Sequence, residues 1–512
     1  MRMCLMGDRA RRAAAMLLAA GMLGFGGAEA DAQAAQENLI EAVKLQDATT
    51  VRRLLDTGAQ VNAAAGDGAT ALHWAAYFDA LEIARLLVGA GAHPGAANAH
   101  GVVPLALACT NANAAMVDLL LAAGADAAAA VTTGETVLMS CARTGNAGAV
   151  SALLDNGADV DAAESAEDQT ALMWAVAQGH PTVVRVLLDR GADVHRRSRV
   201  RRLVISRRLQ SNLRYGELGR RYGTDAEETD IGGYTALLFA ARHGDVASAR
   251  LLLAAGANVN DTAPDGRSAL LVAAHSGHRP LVEILLDEGA NPNAAAAGYT
   301  ALHAAVLQGD LRMVQTLLAA GARPNAQVTQ ATRVTRNGQV LMIGDHLIGA
   351  TPFALAAKFA EGEVMRALSA AGADGLLPLR NGWTPLMLAA GASWRYAVWD
   401  RRDRALHRDF AFQAEHADEP GTLDAVLAAL EAGADVNAVD ETGNTSLHHV
   451  VDKGFDRVVE LLVEHGARLD ATNDRGMTPL ALVTRRRRGN LEAAPATEAL
   501  LRALGAAEHP AR

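Results

Sequence analysis

Residues 298–325 read G-Y-T-A-L-H-A-A-V-L-Q-G-D-L-R-M-V-Q-T-L-L-A-A-G-A-R-P-N. Thr300 stands where an N-cap hydroxyl can accept from a free amide of the first turn. Leu302, Ala304 and Ala305 then share one side of a short helix that Gly309 ends. A second apolar run, Leu311, Met313, Val314, Leu317 and Leu318, has helical spacing. It stops at Gly321, a residue type that takes the left-handed C′ position without steric cost. Two antiparallel helices and a turn expose an apolar face that the pair cannot bury alone, so like units must stack on it.

Such units are present. The slot of Thr300 recurs at Thr70, Val103, Thr136, Thr170, Thr235, Ser268, Thr351, Thr384, Thr445 and Thr478, mostly at steps of 32 to 34 residues. The closing glycine recurs at Gly58, Gly91, Gly124, Gly157, Gly191, Gly256, Gly289, Gly372, Gly433, Gly466 and Gly505, giving twelve units with the first and last incomplete. Thr70-Ala71-Leu72-His73, Thr300-Ala301-Leu302-His303, Thr384-Pro385-Leu386-Met387 and Gly433-Ala434-Asp435-Val436-Asn437 resemble the ankyrin repeat family, whose period is about 33 residues. The likeness runs over residues 37–507, and the order of units is similar to that of exported bacterial ankyrin proteins. It implies an all-α ankyrin-repeat solenoid of about twelve helix-turn-helix units with hairpin turns and three insertions.

Composition agrees. Hydrophobic residues make up 50 % of the chain but aromatics only 4 %, which suits thin layers of Ala and Leu between close helices rather than one large core. The net charge of −10 repels nucleic acid, so none is expected as a partner. Arg2, Arg9, Arg11 and Arg12 precede an apolar run from Ala13 to Phe25, and Ala28-Glu29-Ala30 offers small residues for cleavage. Residues 1–30 therefore read as a secretory signal peptide, placing the remainder in the periplasm or outside the cell. The run is short of the ~20 residues of a spanning helix, so no stable membrane insertion is expected. Cys109 and Cys141 occupy small-residue positions of adjacent first helices. They read as two buried thiols rather than a bridge, because neighbouring helix axes lie about 8 to 10 Å apart.

Repeats 1–5 occupy residues 37–195. An Arg-rich insertion, 196–231, carries ten arginines up to Tyr222, followed by Asp225, Glu227, Glu228 and Asp230. It reads either as a basic appendage for an anionic partner or as a solvated loop on which the acidic run folds back. Repeats 6–8 occupy 232–328. A second insertion, 329–348, contains Asn337-Gly338 between β-prone segments and predicts a projecting hairpin. Repeats 9–12 occupy 349–507, split by an insertion at 392–422. Trp383, Trp394 and Trp399 fall there within seventeen residues, either as a local plug or as an anchor for a partner.

No Gly-x-Ser-x-Gly, His-Glu-x-x-His, Cys-x-x-Cys or phosphate loop occurs. No catalytic residue, metal site or cofactor is expected. The family resemblance implies that His73, His303 and His448 hydrogen-bond their helix caps; His449 has no assigned role. It also implies that the residue before each anchor and the end of each first helix line a concave groove. On that basis Tyr77, Phe78, Tyr234, Arg242, His243, His275, Tyr299, Lys358 and Trp383, with Trp394 and Trp399, are the expected partner-binding residues. Tyr234, Tyr299 and Trp383 are expected to be exposed. The function so implied is a monomeric, non-enzymatic protein-binding scaffold of the cell envelope; the alternative is a regulatory or inhibitory subunit of an envelope enzyme.

Overall fold

The computed structural model describes residues 39–206, 226–331, 343, 345–392, 419–451, 453–487 and 495–507. Backbone contacts divide the chain into two units. The first holds the chain through Arg199 together with Gly233–Ala240 and Ala247–Ala257; the second holds Val200–Gly232, Ala241–Val246 and the chain from Asn258 onward.

In the first unit, repeat 1 comprises a helix over 39–44 and one at Ala48–Asp56. Repeats 2 to 5 each contribute two antiparallel helices: Ala71–Tyr77 and Leu81–Gly89, Pro104–Thr110 and Ala114–Ala122, Val137–Thr144 and Ala147–Asp155, Ala171–Ala177 and Pro181–Asp189. Repeat 6 (Ala236–His243, Val246–Ala254) is shared between the units. The second unit continues with Ala269–His275 and Arg279–Asp287, Ala301–Gln308 and Leu311–Ala319, Pro352–Lys358 and Gly362–Ala370, Pro385–Ala389 and Glu419–Glu431, Ser446–Val450 and Asp456–Glu464, and Pro479–Arg487 and Pro495–Ala503. These are repeats 7 to 12.

The elements start and stop where local chemistry directs. The hydroxyls of Thr136, Ser268, Thr351 and Thr384 accept from the amides of Met139, Leu271, Ala354 and Met387 at 3.2 to 3.3 Å. All twelve closing glycines have φ between 84° and 93°. A Cβ on any of them would meet nothing within 4 Å, so backbone conformation and not crowding demands glycine there. Between helices the core is thin and complete: Leu72, Leu105, Leu302 and Leu386 of the first helices and Leu87, Leu120, Leu317 and Leu462 of the second are wholly buried.

A second set of bonds joins neighbours. Where the residue four after the closing glycine is Asn, its side chain reaches across to the next repeat. Asn293 Nδ2 donates to the Gly321 carbonyl at 2.9 Å while its Oδ1 accepts from the Arg323 amide at 2.8 Å. Asn62, Asn260 and Asn437 do the same. Asn325 reaches Gly372 and Asp374 in this way, across 47 and 49 residues of chain, so repeats 8 and 9 stack directly although the second insertion separates them in sequence. Val328 and Ala350 close the base of that insertion with an amide-to-carbonyl bond of 2.9 Å. The hairpin expected around Asn337-Gly338 lies outside the described residues. Across the split repeat, Arg366 of repeat 9 grips Asp424 at 2.7 Å and Glu431 at 2.9 Å, both on the returning helix Glu419–Glu431.

The repeat array is helical, as expected, and the first insertion adds a two-stranded antiparallel ribbon to it, where β1 (Val200–Ser206) pairs with β2 (Ala226–Gly232) from Val200 opposite Gly232 to Ser206 opposite Ala226. Basic β1 thus lies against acidic β2, and Arg202 meets Asp230 at 3.0 Å. One expectation needs correction: Cys109 and Cys141 are not free thiols but form a disulfide with its Cα atoms 4.5 Å apart. The helix-axis spacing misled the reading. Each Cα sits about 2.3 Å off its axis, so residues on facing sides of axes 8 to 10 Å apart come within bridging range.

Candidate protein-interaction surface

The histidines of the first helices serve the stack. The Thr70 amide donates to His73 Nδ1 at 3.0 Å, and His73 Nε2 lies 3.0 Å from the Val102 carbonyl of the next repeat. With Nδ1 accepting, Nε2 carries the proton and donates. His303 repeats the pattern with Thr300 at 3.2 Å and Ala350 at 3.4 Å, and His448 with Thr445 at 3.1 Å and Met477 at 3.1 Å. Burial pushes all three imidazoles down, His303 to about 4. They are held neutral as cross-repeat struts.

His449 has a partner that the sequence reading did not find. Its Nε2 lies 3.0 Å from Asp440 Oδ2, while Asp440 Oδ1 accepts from the amides of Thr442 and Asn444 at 2.8 and 3.0 Å. Burial raises the Asp440 carboxyl, but the bonds from His449, Thr442 and Asn444 outweigh it and hold the group well below the usual carboxylate range.

The residues expected to bind a partner divide sharply by exposure. Tyr77 and Phe78 are half-buried and form a cluster with Trp74, their ring centroids 5.0 Å apart and each 5.9 Å from the indole. Arg242, His275 and Trp383 are half-buried and His243 is exposed. Trp394 and Trp399 lie outside the described residues. Tyr234, Tyr299 and Lys358, by contrast, are only 8 %, 4 % and 5 % exposed, which corrects the expectation that both tyrosines are open tips. The reason is that a ring just before the anchor folds back. Tyr234 packs edge-on against Phe239 of its own helix at 5.7 Å, and Tyr299 lies across His275 of the preceding repeat with its hydroxyl 3.4 Å from Nδ1. Lys358 lays its ammonium 4.8 Å above the Phe359 ring.

A diagonal motif escaped notice in the sequence. Lys44 sits 4.7 Å above Trp74, and Arg143 sits 5.5 Å from Trp174. In each case a cation at the end of one first helix covers an indole at the middle of the next, a contact that tens of residues of separation hide. Glu135 completes the second instance, accepting from Ser140 at 2.9 Å and lying 3.7 Å from Arg143. Among the described residues no group of three or more His, Cys, Asp or Glu side chains could hold a metal ion, and no helix is long and apolar enough to cross a membrane.

This is the architecture of a repeat scaffold: polar groups tie the units together, while residues at fixed positions on the first helices differ from unit to unit. The chain belongs to the ankyrin repeat family, whose three-copy profile matches residues 16–98, 39–131, 105–198, 216–296, 237–328 and 414–496, together well over half of the chain. It is 32 % identical over 145 residues to Neurogenic locus notch homolog protein 1 of Homo sapiens, a match covering 26 % of this chain and 6 % of that protein. It is 38 % identical over 63 residues to Protein phosphatase 1 regulatory subunit 27 of Homo sapiens, covering 12 % of this chain and 41 % of that one. The matched stretches thus span less than half of each relative. Among solved structures, the human ASB11 ankyrin repeat domain aligns with TM-score 0.39 and 24 % identity, over 50 % of this chain and 98 % of that domain.

Proposed function

We propose that the protein is a non-enzymatic interaction scaffold of the cell envelope that holds a protein partner against the inner face formed by its first helices. Ankyrin repeats are protein–protein interaction modules. The observation that carries the reading is the division of labour within each unit. The closing glycine is constant, the Thr or Ser cap recurs in most repeats, and the cross-repeat Asn bridges and buried histidines recur in several, whereas the residue before the anchor and the last turn of the first helix range from Tyr77 and Phe78 through Arg143 to His275 and Lys358. A constant frame carrying variable side chains is what recognition requires. Export is supported by the basic and apolar character of residues 1–30 and by the Cys109–Cys141 bridge, which persists in an oxidising compartment.

The alternative, a regulatory or inhibitory subunit of an envelope enzyme, draws on the likeness of one short stretch to a phosphatase regulatory subunit. Photo-crosslinking addresses both. A photoreactive amino acid placed singly at Tyr77, Phe78, Arg242 or Trp383 should form adducts with a partner in envelope extract. The same group at Arg85 or Arg185, exposed on second helices, should not. Adducts of equal yield from all positions, or from none, would overturn the inner-face reading. One recurring enzyme among the adducts would favour the regulatory subunit.

A further inference from the structure

The Cys109–Cys141 bridge joins two helices that the stack encloses. Both cysteines are wholly buried. Their helices, Pro104–Thr110 and Val137–Thr144, pack on each other, with the first helices of repeats 2 and 5, Ala71–Tyr77 and Ala171–Ala177, on either side and the second helices Ala114–Ala122 and Ala147–Asp155 against them. Side chains tie all three seams at the helix ends. Asn111 Nδ2 donates to the Ala76 and Tyr77 carbonyls at 2.9 and 2.7 Å, the Thr144 hydroxyl donates to the Cys109 carbonyl at 2.9 Å, and His180 Nε2 lies 3.0 Å from the Arg143 carbonyl. Asn146 adds a second tie across the seam that holds the bridge, its Nδ2 donating to the Ala112 carbonyl at 2.6 Å.

A disulfide forms in two attacks: one thiolate displaces a sulfur of a disulfide oxidant, and the second thiolate then displaces the oxidant from the mixed disulfide. The first attack needs a sulfur that the oxidant can touch, and it needs the thiolate, which apolar surroundings disfavour. A stacked chain with both cysteines reduced offers neither until the seam between repeats 3 and 4 opens. Each of these repeats is held by two neighbours, so its opening costs more than fraying at an end of the array. In the unfolded chain both cysteines are open to the oxidant, and a sequence separation of 32 lets one reach the other.

We infer that the chain is the substrate of a thiol-oxidising reaction that acts before repeats 3 and 4 dock, and that the docked seam then closes the window. The two thiols lose two protons and pass two electrons to the disulfide of the oxidant, which leaves as a dithiol or as two thiols. The redox state of Cys109 and Cys141 is thus set while the chain folds and does not follow its surroundings afterwards, which separates this bridge from a reversible switch. A chain that stacks too early is folded but unstapled, and stays so. The inference holds whatever partner the scaffold takes, and its failure leaves the scaffold reading untouched.

The test uses the full chain, reduced and unfolded in urea and then refolded by dilution. Oxidised glutathione is added either before dilution or after circular dichroism shows the helix recovered, and the bridge is followed by acid quench, alkylation and mass spectrometry of the Cys109 and Cys141 peptides. Bridge formation should be about a hundredfold or more slower when the oxidant arrives after folding. Thr144→Val removes the hydroxyl tie across the seam and should speed this late oxidation about threefold or more. Asn437→Ala, which removes the ties between repeats 10 and 11, should leave it unchanged, and in urea both variants should oxidise as the parent chain does. A reduced chain that regains no helix until the oxidant is added would place oxidation before docking as well. Equal rates before and after folding would overturn the inference, because the stack would then shield nothing. So would an Asn437→Ala chain that speeds late oxidation as much as Thr144→Val does, since the seam between repeats 3 and 4 would not be the barrier.

Discussion

At the scale of single residues, the histidine struts make a pH-dependent contribution whose sign follows from their geometry. The Nδ1 atoms of His73, His303 and His448 accept a backbone N–H, so a proton there would break the cap. A folded-state pKa depressed below the unfolded value of 6.5 means that the unfolded chain binds more protons between the two. The stabilisation is therefore full above about pH 6.5 and is lost as pH falls toward the folded value, which for His303 is about 4. For that one residue the loss across the window amounts to about 3 kcal/mol. Urea denaturation followed by circular dichroism should show the midpoint dropping between pH 7 and pH 4.5, and dropping less in His303→Gln. A variant with the same pH dependence as the parent chain would show that the strut is not the titrating group.

At the scale of elements, two substitutions separate what closes a repeat from what joins one to the next. Gly321→Ala leaves the space free but forces a Cβ residue to φ 84°. It should cost about 1 kcal/mol, and Gly321→Asn should cost less. Asn293→Ala removes both cross-repeat bonds to Gly321 and Arg323 and should cost about 1 to 3 kcal/mol. Chemical denaturation of the three variants checks the order; equal losses for Gly321→Ala and Gly321→Asn would remove backbone strain as the cause. Elements such as these could be read in the sequence because their rules are local: the Thr300 cap, the Gly321 stop and the register of the repeats depend on neighbours a few residues away. What could not be read depends on distant partners. Whether Tyr299 points out or lies on His275, whether Lys44 covers Trp74, and whether the acidic run at Glu227 and Glu228 pairs as a strand with Leu203 to Ile205 are decided across tens of residues. Asp440 and His449 are nine residues apart, yet their pairing depends on how the loop before Thr445 folds back onto its helix.

At the scale of the whole molecule, an array in which each repeat contacts only its neighbours gains more from a covalent staple than a globule would, because local fraying is its easiest route to unfolding. The Cys109–Cys141 bridge lies wholly buried between the first helices of repeats 3 and 4 and closes a loop with a sequence separation of 32. A loop of that size should contribute about 3 to 4 kcal/mol on the chain-entropy account. Cys109→Ala with Cys141→Ala, or reduction under mild denaturant, should therefore lower the unfolding temperature, and the parent chain should resist reductant until it is partly unfolded. The same bond makes the proposed location testable without knowing the partner. Protein taken from the envelope fraction, denatured and alkylated without reductant, should leave the Cys109 and Cys141 peptides unmodified, whereas reduction before alkylation should modify both. Full alkylation without reductant would mean that the chain resides among reducing thiols. The bridge would then lend nothing to the proposal of export.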